Sequence, residues 1–203
     1  MFIIGLTGGI GSGKSAATKI LNEIGLKNID LDQITQDLMK PGELGYIEIK
    51  KEFGEKYIDI NGAIDRKLLR NELFSSLELK KRIESILHPI IFEEYNKKLN
   101  KLKHEKYLVL VIPLLFETKT YINLIDESLL IDCDLRTQIE RVINRDDVSK
   151  ALANRIIKNQ MSRAKKLLLA DKVIVNDGNI NNLKVQLEGY YKNLLKDKNN
   201  AQI

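Results

Sequence analysis

Eight residues near the amino terminus carry the strongest chemical signal in the chain. Gly8-Gly9-Ile10-Gly11-Ser12-Gly13-Lys14-Ser15 matches the spacing G-x-x-x-x-G-K-[ST] at every fixed position. Glycines allow positive φ and let backbone N–H groups turn inward around a phosphate with no Cβ in the way. A helix starting behind the loop adds the partial positive charge of its N-terminus. Lys14 can reach the β- and γ-phosphates of a nucleoside triphosphate, and the Ser15 hydroxyl can ligate Mg²⁺. The bland alternative, a glycine-rich turn with a coincidental lysine, fits the flanks poorly: an apolar strand precedes the loop and an amphipathic helix follows it. Such a loop names the donor but not the group that receives the phosphate.

Two carboxylates, Asp30 and Asp32, follow the next apolar segment. Transfer to a hydroxyl benefits from a carboxylate that accepts its proton and orients its oxygen in line with phosphorus. One of the pair can equally be the cap of the helix that starts near Gln33, and position alone leaves the two roles evenly divided. A basic cluster, Arg136, Arg141, Arg145, Arg155, Arg163, Lys165 and Lys166, reads either as a solvated helix surface or as a lid whose guanidiniums close over ATP. Arg141 and Arg145, four residues apart, share a helical face. The lid reading is favoured because the phosphate loop must be served from somewhere. A guanine-reading N-K-x-D is absent, and Asp59-Ile60-Asn61-Gly62 fits D-x-x-G with no apolar strand leading into it, so a GTPase switch fits poorly. Leu129-Leu130-Ile131-Asp132 looks like the strand-plus-Asp of motor ATPases. Its place after a strand ending in Pro113 argues instead for a distal strand, with Asp132 or Asp134 capping the next helix. No His/Cys/Asp cluster has zinc spacing.

The elements that must position these residues alternate between strand and helix. Apolar or β-branched runs at Phe2–Leu6, Lys27–Asp30, Tyr107–Ile112, Ser128–Cys133 and Lys172–Val175 read as strands. Helical spacing appears over Lys14–Glu23, which Gly25 stops, and over Asp32–Met39, which Pro41-Gly42 breaks. Strand–helix alternation predicts an α/β fold: a parallel sheet of P-loop NTPase type with helices on both faces. Ligands in such folds sit at the carboxyl ends of the strands, here after Leu6, Ile29 and Ile112. From Gly45 to Leu102, between the second and third strands, helical periodicity dominates, with a turn at Asn61-Gly62, predicting a mostly helical insertion. The expected parts are a nucleotide-binding core over 1–44, 104–134 and 170–196, a helical region over 45–103 and a helical lid over 135–169. The polar residues 197–203 are expected to fray.

Composition bounds the rest. At 203 residues the chain can bury a substantial core without disulfides or structural metal. Lys and Arg (33) exceed Asp and Glu (28) by five, compatible with phosphate-bearing partners. The acidic residues are interleaved, so a focused nucleic-acid patch is not expected. One cysteine, Cys133, excludes an intrachain disulfide and fits a reducing compartment. No apolar run approaches a membrane span, and no basic region marks a secretory signal. A cytoplasmic protein without membrane partners is expected.

Taken in order, Gly5 to Ser15, Asp30-Leu31-Asp32, His88-Pro89, Pro113-Leu114-Leu115-Phe116-Glu117, Arg145-Asp146, Gln160 to Arg163 and Ala170 to Asn176 resemble the dephospho-coenzyme A kinase family. The resemblance spans roughly residues 3–178 and, unlike a bare phosphate loop, is specific. It implies ATP-dependent phosphorylation of the ribose 3′-hydroxyl of dephospho-CoA, with Mg²⁺ accompanying ATP, and a core, a CoA-binding helical region and a lid. It further implies Asp32 as catalytic aspartate, with Lys14 and Arg141 also serving the transfer. The expected ATP contacts are Gly11, Ser12, Gly13, Lys14, Ser15, Ala16, Arg141 and Arg145. Asp32, Arg66 or Arg70, and His88 are expected on the acceptor side. Leu31, where the family usually has a small residue, and Ala16, where Thr is common, depart from the pattern without removing a reacting group. A kinase for another small acceptor, or a nucleotide-dependent switch, are the alternatives.

Overall fold

The computed structural model describes residues 1–118 and 120–200, with the backbone alone for Arg70, Phe74 and residues 197–200. The chain divides into two compact units, Met1–Ile29 with His104–Ile203, and Asp30–Lys103. No helix among the described residues is long and apolar enough to cross a membrane.

The first unit is built on a parallel five-stranded sheet with helices on both sides. Its strands are β1 (Phe2–Gly8), β2 (Lys27–Asp30), β3 (Tyr107–Val111), β4 (Glu127–Asp132) and β5 (Lys172–Val175), in the order β2-β3-β1-β4-β5. β1 pairs in parallel with β3 (Ile4↔Val109) and with β4 (Leu6↔Leu129), and β4 pairs in parallel with β5. β3 is buried along its whole length, as expected of a strand covered on both faces. The core joins Ile4, Leu6, Val109, Val111, Leu129 and Ile131 to Ala17, Ile20 and Leu21 of α1 (Lys14–Glu23). Leu183, Leu187 and Leu194 of a long carboxyl-terminal helix (Ile180–Asn200) close the same cluster. Each fully buried leucine or isoleucine contributes about 1.5–3 kcal/mol relative to exposure. That terminal helix carries the backbone to Asn200; residues 201–203, the end of the segment expected to fray, lie outside the described residues.

The strand positions follow the apolar runs, but the place of β4 does not follow the sequence expectation. It is not distal: it lies directly beside β1, in register from Ile4↔Glu127 to Gly8↔Ile131. The reason is that a central strand must satisfy ladder partners on both edges, and β3 fills only one of them. Asp132 therefore ends next to the phosphate loop's own strand rather than at the sheet's margin.

The second unit is helical: α2 (Leu31–Leu38), α3 (Leu44–Phe53), α4 (Arg66–Ser75) and α5 (Leu77–Lys101). Its boundary falls at Asp30, not after residue 44 as the sequence pattern predicts. The cause is the apolar stripe of α2, where Leu31, Ile34 and Leu38 are buried and the helix packs against α5 and α3. Leu31, the departure from the family's small residue, is part of that stripe. Ile58 and Ile64 form an antiparallel bridge around the Asn61-Gly62 turn. The Asp59 carboxylate accepts from Asn61 N and Ala63 N within this turn, a local tie rather than a switch arrangement. The remaining helices, all in the first unit, are α6 (Leu115–Thr118), α7 (Leu135–Asp146), α8 (Lys150–Lys158), α9 (Arg163–Leu169) and α10, the terminal helix already described.

Candidate active site

Between β1 and α1 the chain forms the expected loop. Gly11 and Gly13 take φ of 74° and 99°, the left-handed region that glycine enters at little cost. Gly13 is the residue before α1, and no side chain caps that helix, so its first N–H groups are available to an anion. The Lys14 ammonium folds over the loop, donating to the Gly8 carbonyl at 2.7 Å and the Gly9 carbonyl at 3.2 Å. Ser15 is exposed in the first turn of α1, and Ala16 packs partly against the core. Ser12 is buried, and its hydroxyl has no hydrogen-bond partner among the described residues.

Side chains far away in sequence hold this loop in shape. Asn176, just beyond β5, donates to the Ser12 carbonyl at 2.7 Å. Gln138 of α7 donates to the Ile10 carbonyl at 3.0 Å, while Gln160 Oε1 accepts from Ile10 N at 3.0 Å. The Ile10 peptide is thus gripped from both sides. There is no room for larger residues: a Cβ on Gly9 would collide with the Gln138 amide, and one on Gly13 with the Asn176 amide. Residue type and spacing alone give Gln138, Gln160 and Asn176 no role. Gln160 and Asn176 lay inside motifs of the family resemblance, while Gln138 had no signal at all.

The basic segment divides into two kinds of residue. Arg141 belongs with the loop: its Nη1 lies 3.5 Å from the Gly11 carbonyl. Together with Gly13, Ala16, Asn176, Gly178, Ile180 and Leu183 it lines a cavity of about 330 Å³. Arg145 is bound to its neighbour Asp146 through Nε (2.8 Å) and Nη2 (2.9 Å), an exposed pair of small energetic weight that a better anion can displace. Arg136 is a surface residue paired with Glu140. Arg163 and Lys166, grouped from sequence with the lid, are instead anchored to the core. Arg163 Nε and Nη2 grip the buried Asp132 carboxylate at 2.7–3.0 Å, and this pairing raises the guanidinium pKa further. Lys166 is buried and pairs with Glu117 at 3.0 Å. Of the two candidate caps for α7, Asp134 takes the role, accepting from Thr137 N at 2.7 Å, a bond that holds its pKa below the usual carboxylate value. Cys133 is buried against the Gly11 carbonyl, and burial pushes its thiol up to about 11.

In the helical unit the two aspartates separate. Asp30 is the cap of α2, its Oδ1 accepting from Asp32 N at 2.9 Å and Gln33 N at 3.1 Å. Asp32 occupies the first turn of α2 with an exposed side chain. Arg66 is exposed at the start of α4, which Asp65 caps. The side chain of Arg70 lies outside the described residues. His88 is half-buried in α5, which runs on through Pro89. A cavity of about 600 Å³ in this unit, lined by Phe53, Ser76, Leu79, Lys81, Arg82 and Ser85 among others, is formed by a different set of side chains.

No group of three or more His, Cys, Asp or Glu among the described residues can cage a metal. Mg²⁺ that arrives with a nucleotide needs no such cage, because phosphate oxygens and water fill most of its six positions. One exposed hydroxyl behind a phosphate loop, as Ser15 provides, fits that requirement.

The family model described as dephospho-CoA kinase matches residues 2–182. A dephospho-CoA kinase of Nitrosospira multiformis is 38% identical over 192 residues, covering 95% of this chain and 96% of that protein. The crystal structure of TT1252 from Thermus thermophilus superposes with a TM-score of 0.83 at 30% identity, covering 95% of this chain and 97% of the other. Dephospho-CoA kinase from Campylobacter jejuni superposes at 0.68 with 27% identity, covering 97% and 98%.

Proposed function

The chain belongs to the dephospho-CoA kinase family, and from that premise we propose that it transfers the γ-phosphoryl group of ATP to the ribose 3′-hydroxyl of dephospho-CoA. The products are coenzyme A and ADP, which makes this the last step of coenzyme A synthesis. The observation that carries the reading is the loop of Gly8–Ser15, open at the N-terminus of α1 and braced by three side-chain amides.

The donor's phosphates lie against the N–H groups of Gly11, Ser12, Gly13, Lys14, Ser15 and Ala16. The Lys14 ammonium exchanges the Gly8 and Gly9 carbonyls for β/γ-phosphate oxygens, a charge-assisted replacement. The exposed Ser15 hydroxyl would hold Mg²⁺ arriving with ATP, and the ion would supply neutralisation of phosphate charge. The base of the nucleotide enters the cavity between Gly13, Arg141, Asn176 and Leu183, with the Arg141 guanidinium over it or over the phosphates. Arg145 releases Asp146 to complete the lid over the transferring group.

On the acceptor side Asp32 orients the 3′-hydroxyl and takes its proton. That assignment is supported by the hydrogen bonds that commit Asp30 to capping. Arg66, Arg70 and His88 contribute to holding the acceptor. ATP and dephospho-CoA are the partners in this reading, and neither nucleic acid nor a membrane has a part in it. A cytoplasmic setting suits a chain whose one cysteine is a buried free thiol. Incubation with Mg-ATP and dephospho-CoA, followed by mass analysis, tests the reading: coenzyme A should appear, and its absence with active nucleotide binding would refute the acceptor.

A further inference from the structure

Two motifs, Pro113–Glu117 and Gln160–Arg163, are left without a role by the transfer chemistry, and one buried side chain joins them. Lys166 of α9 is 5% exposed and has two partners, Glu117 Oε1 at 3.0 Å and Gln160 Oε1 at 3.5 Å. Glu117 also accepts from Met161 N at 3.1 Å, which fixes the chain next to Gln160. Its second oxygen is buried with no hydrogen-bond partner among the described residues, and Lys166 at 3.0 Å supplies the charge that balances the carboxylate. Gln160 passes the constraint on, because the same Oε1 accepts from Ile10 N inside the phosphate loop.

We propose that Glu117, Lys166 and Gln160 form a positioning relay that holds the phosphate loop in its nucleotide-binding shape from the carboxyl end of the basic segment. None of the three needs to touch the reacting atoms. Lys166 and Met161 N both bond Glu117, so the segment entering α9 cannot drift, and the Gln160 amide is presented to Ile10 at a set distance. Without that acceptor the Ile10 N–H is left to find water or a different loop conformation. A loop that spends only part of its time in the competent shape binds nucleotide more weakly by that fraction. The inference rests on the ATP-dependent reading above, and it makes a statement about donor affinity alone.

The test is calorimetric titration with the Mg complex of a non-hydrolysable ATP analogue, which needs no acceptor. Gln160→Leu should weaken binding about tenfold. Lys166→Met should weaken binding in the same direction and add less than about twofold when combined with Gln160→Leu, because the two act in series. Lys166→Met strands a buried carboxylate and can impair folding, so Glu117→Met with Lys166→Met removes both charges together. Gln160→Leu strands no charge and decides the matter in any case. In turnover the KM for dephospho-CoA should not move, whereas a loss of general stability would raise both KM values. Unchanged analogue affinity in Gln160→Leu, or losses in Gln160→Leu and Lys166→Met that add in full when combined, would overturn the relay. Transfer to dephospho-CoA by the wild type tests the functional reading separately.

Discussion

Asn176 donates its side-chain amide to the carbonyl of Ser12 at 2.7 Å, a buried bond between the end of the last strand and the first loop of the chain. The loop's shape therefore depends on the sheet having closed as far as β5. Asn176→Ala removes the donor and leaves a buried carbonyl unpaired, which costs about 1–3 kcal/mol. Urea unfolding should show that loss, and ATP affinity should fall with it. Wild-type values for both would mean the bond is dispensable.

Lys14→Ala should abolish turnover and weaken ATP binding. The loop has no second cationic side chain at a fixed position, and charge-assisted bonds of this kind are worth about 1.5–3 kcal/mol each. Steady-state kinetics and nucleotide titration read the two effects separately. Normal turnover in this variant would remove the phosphate-loop assignment.

Asp30 and Asp32 now predict different phenotypes. Asp32→Asn should lower kcat by about 10²–10⁴-fold while the Kd values for ATP and dephospho-CoA stay near wild type. Asp30→Asn should be nearly silent, since Asn caps as well as Asp, whereas Asp30→Ala should cost about 1 kcal/mol of stability. A kcat loss at Asp30→Asn with none at Asp32→Asn would reverse the roles.

Hydrogen exchange should split the basic segment. ATP should increase protection over residues 145–160. The amides of α9 should change little, because Arg163–Asp132 and Lys166–Glu117 already hold that helix to the sheet. An equal response in α9 would show that the whole of 135–169 moves as one lid.

Cys133 should resist alkylation in the native protein. A thiol pushed up to about 11 by burial is about one part in a thousand thiolate at pH 8, and the thiolate is the reactive form. Its folded-state pKa lies above the unfolded one. The stabilisation is therefore complete below the unfolded value, about 9, and is lost as pH rises toward 11. Iodoacetamide labelling followed by mass should show no adduct until denaturant is added, and prompt native labelling at pH 8 would contradict the burial.

What the sequence determined by itself was local. The phosphate loop is a contiguous run whose glycines, lysine and serine act through their own backbone and their nearest helix, so its spacing was sufficient. The strands were legible for the same reason, since a run such as Leu108-Val109-Leu110-Val111 has no favourable place outside a doubly covered sheet. The tertiary structure decided which neighbours each piece received. It put β4 beside β1, made Asp30 rather than Asp32 the cap, and split the basic cluster into loop-facing Arg141 and core-anchored Arg163 and Lys166. It also supplied the bracing of the loop by Gln138, Gln160 and Asn176, bonds that cross 128, 150 and 164 residues of chain. A side-chain amide reaching a distant backbone group leaves no periodicity and no spacing to read. Its partner is set by where two strands and a helix end in space, and that is known only once the sheet has formed.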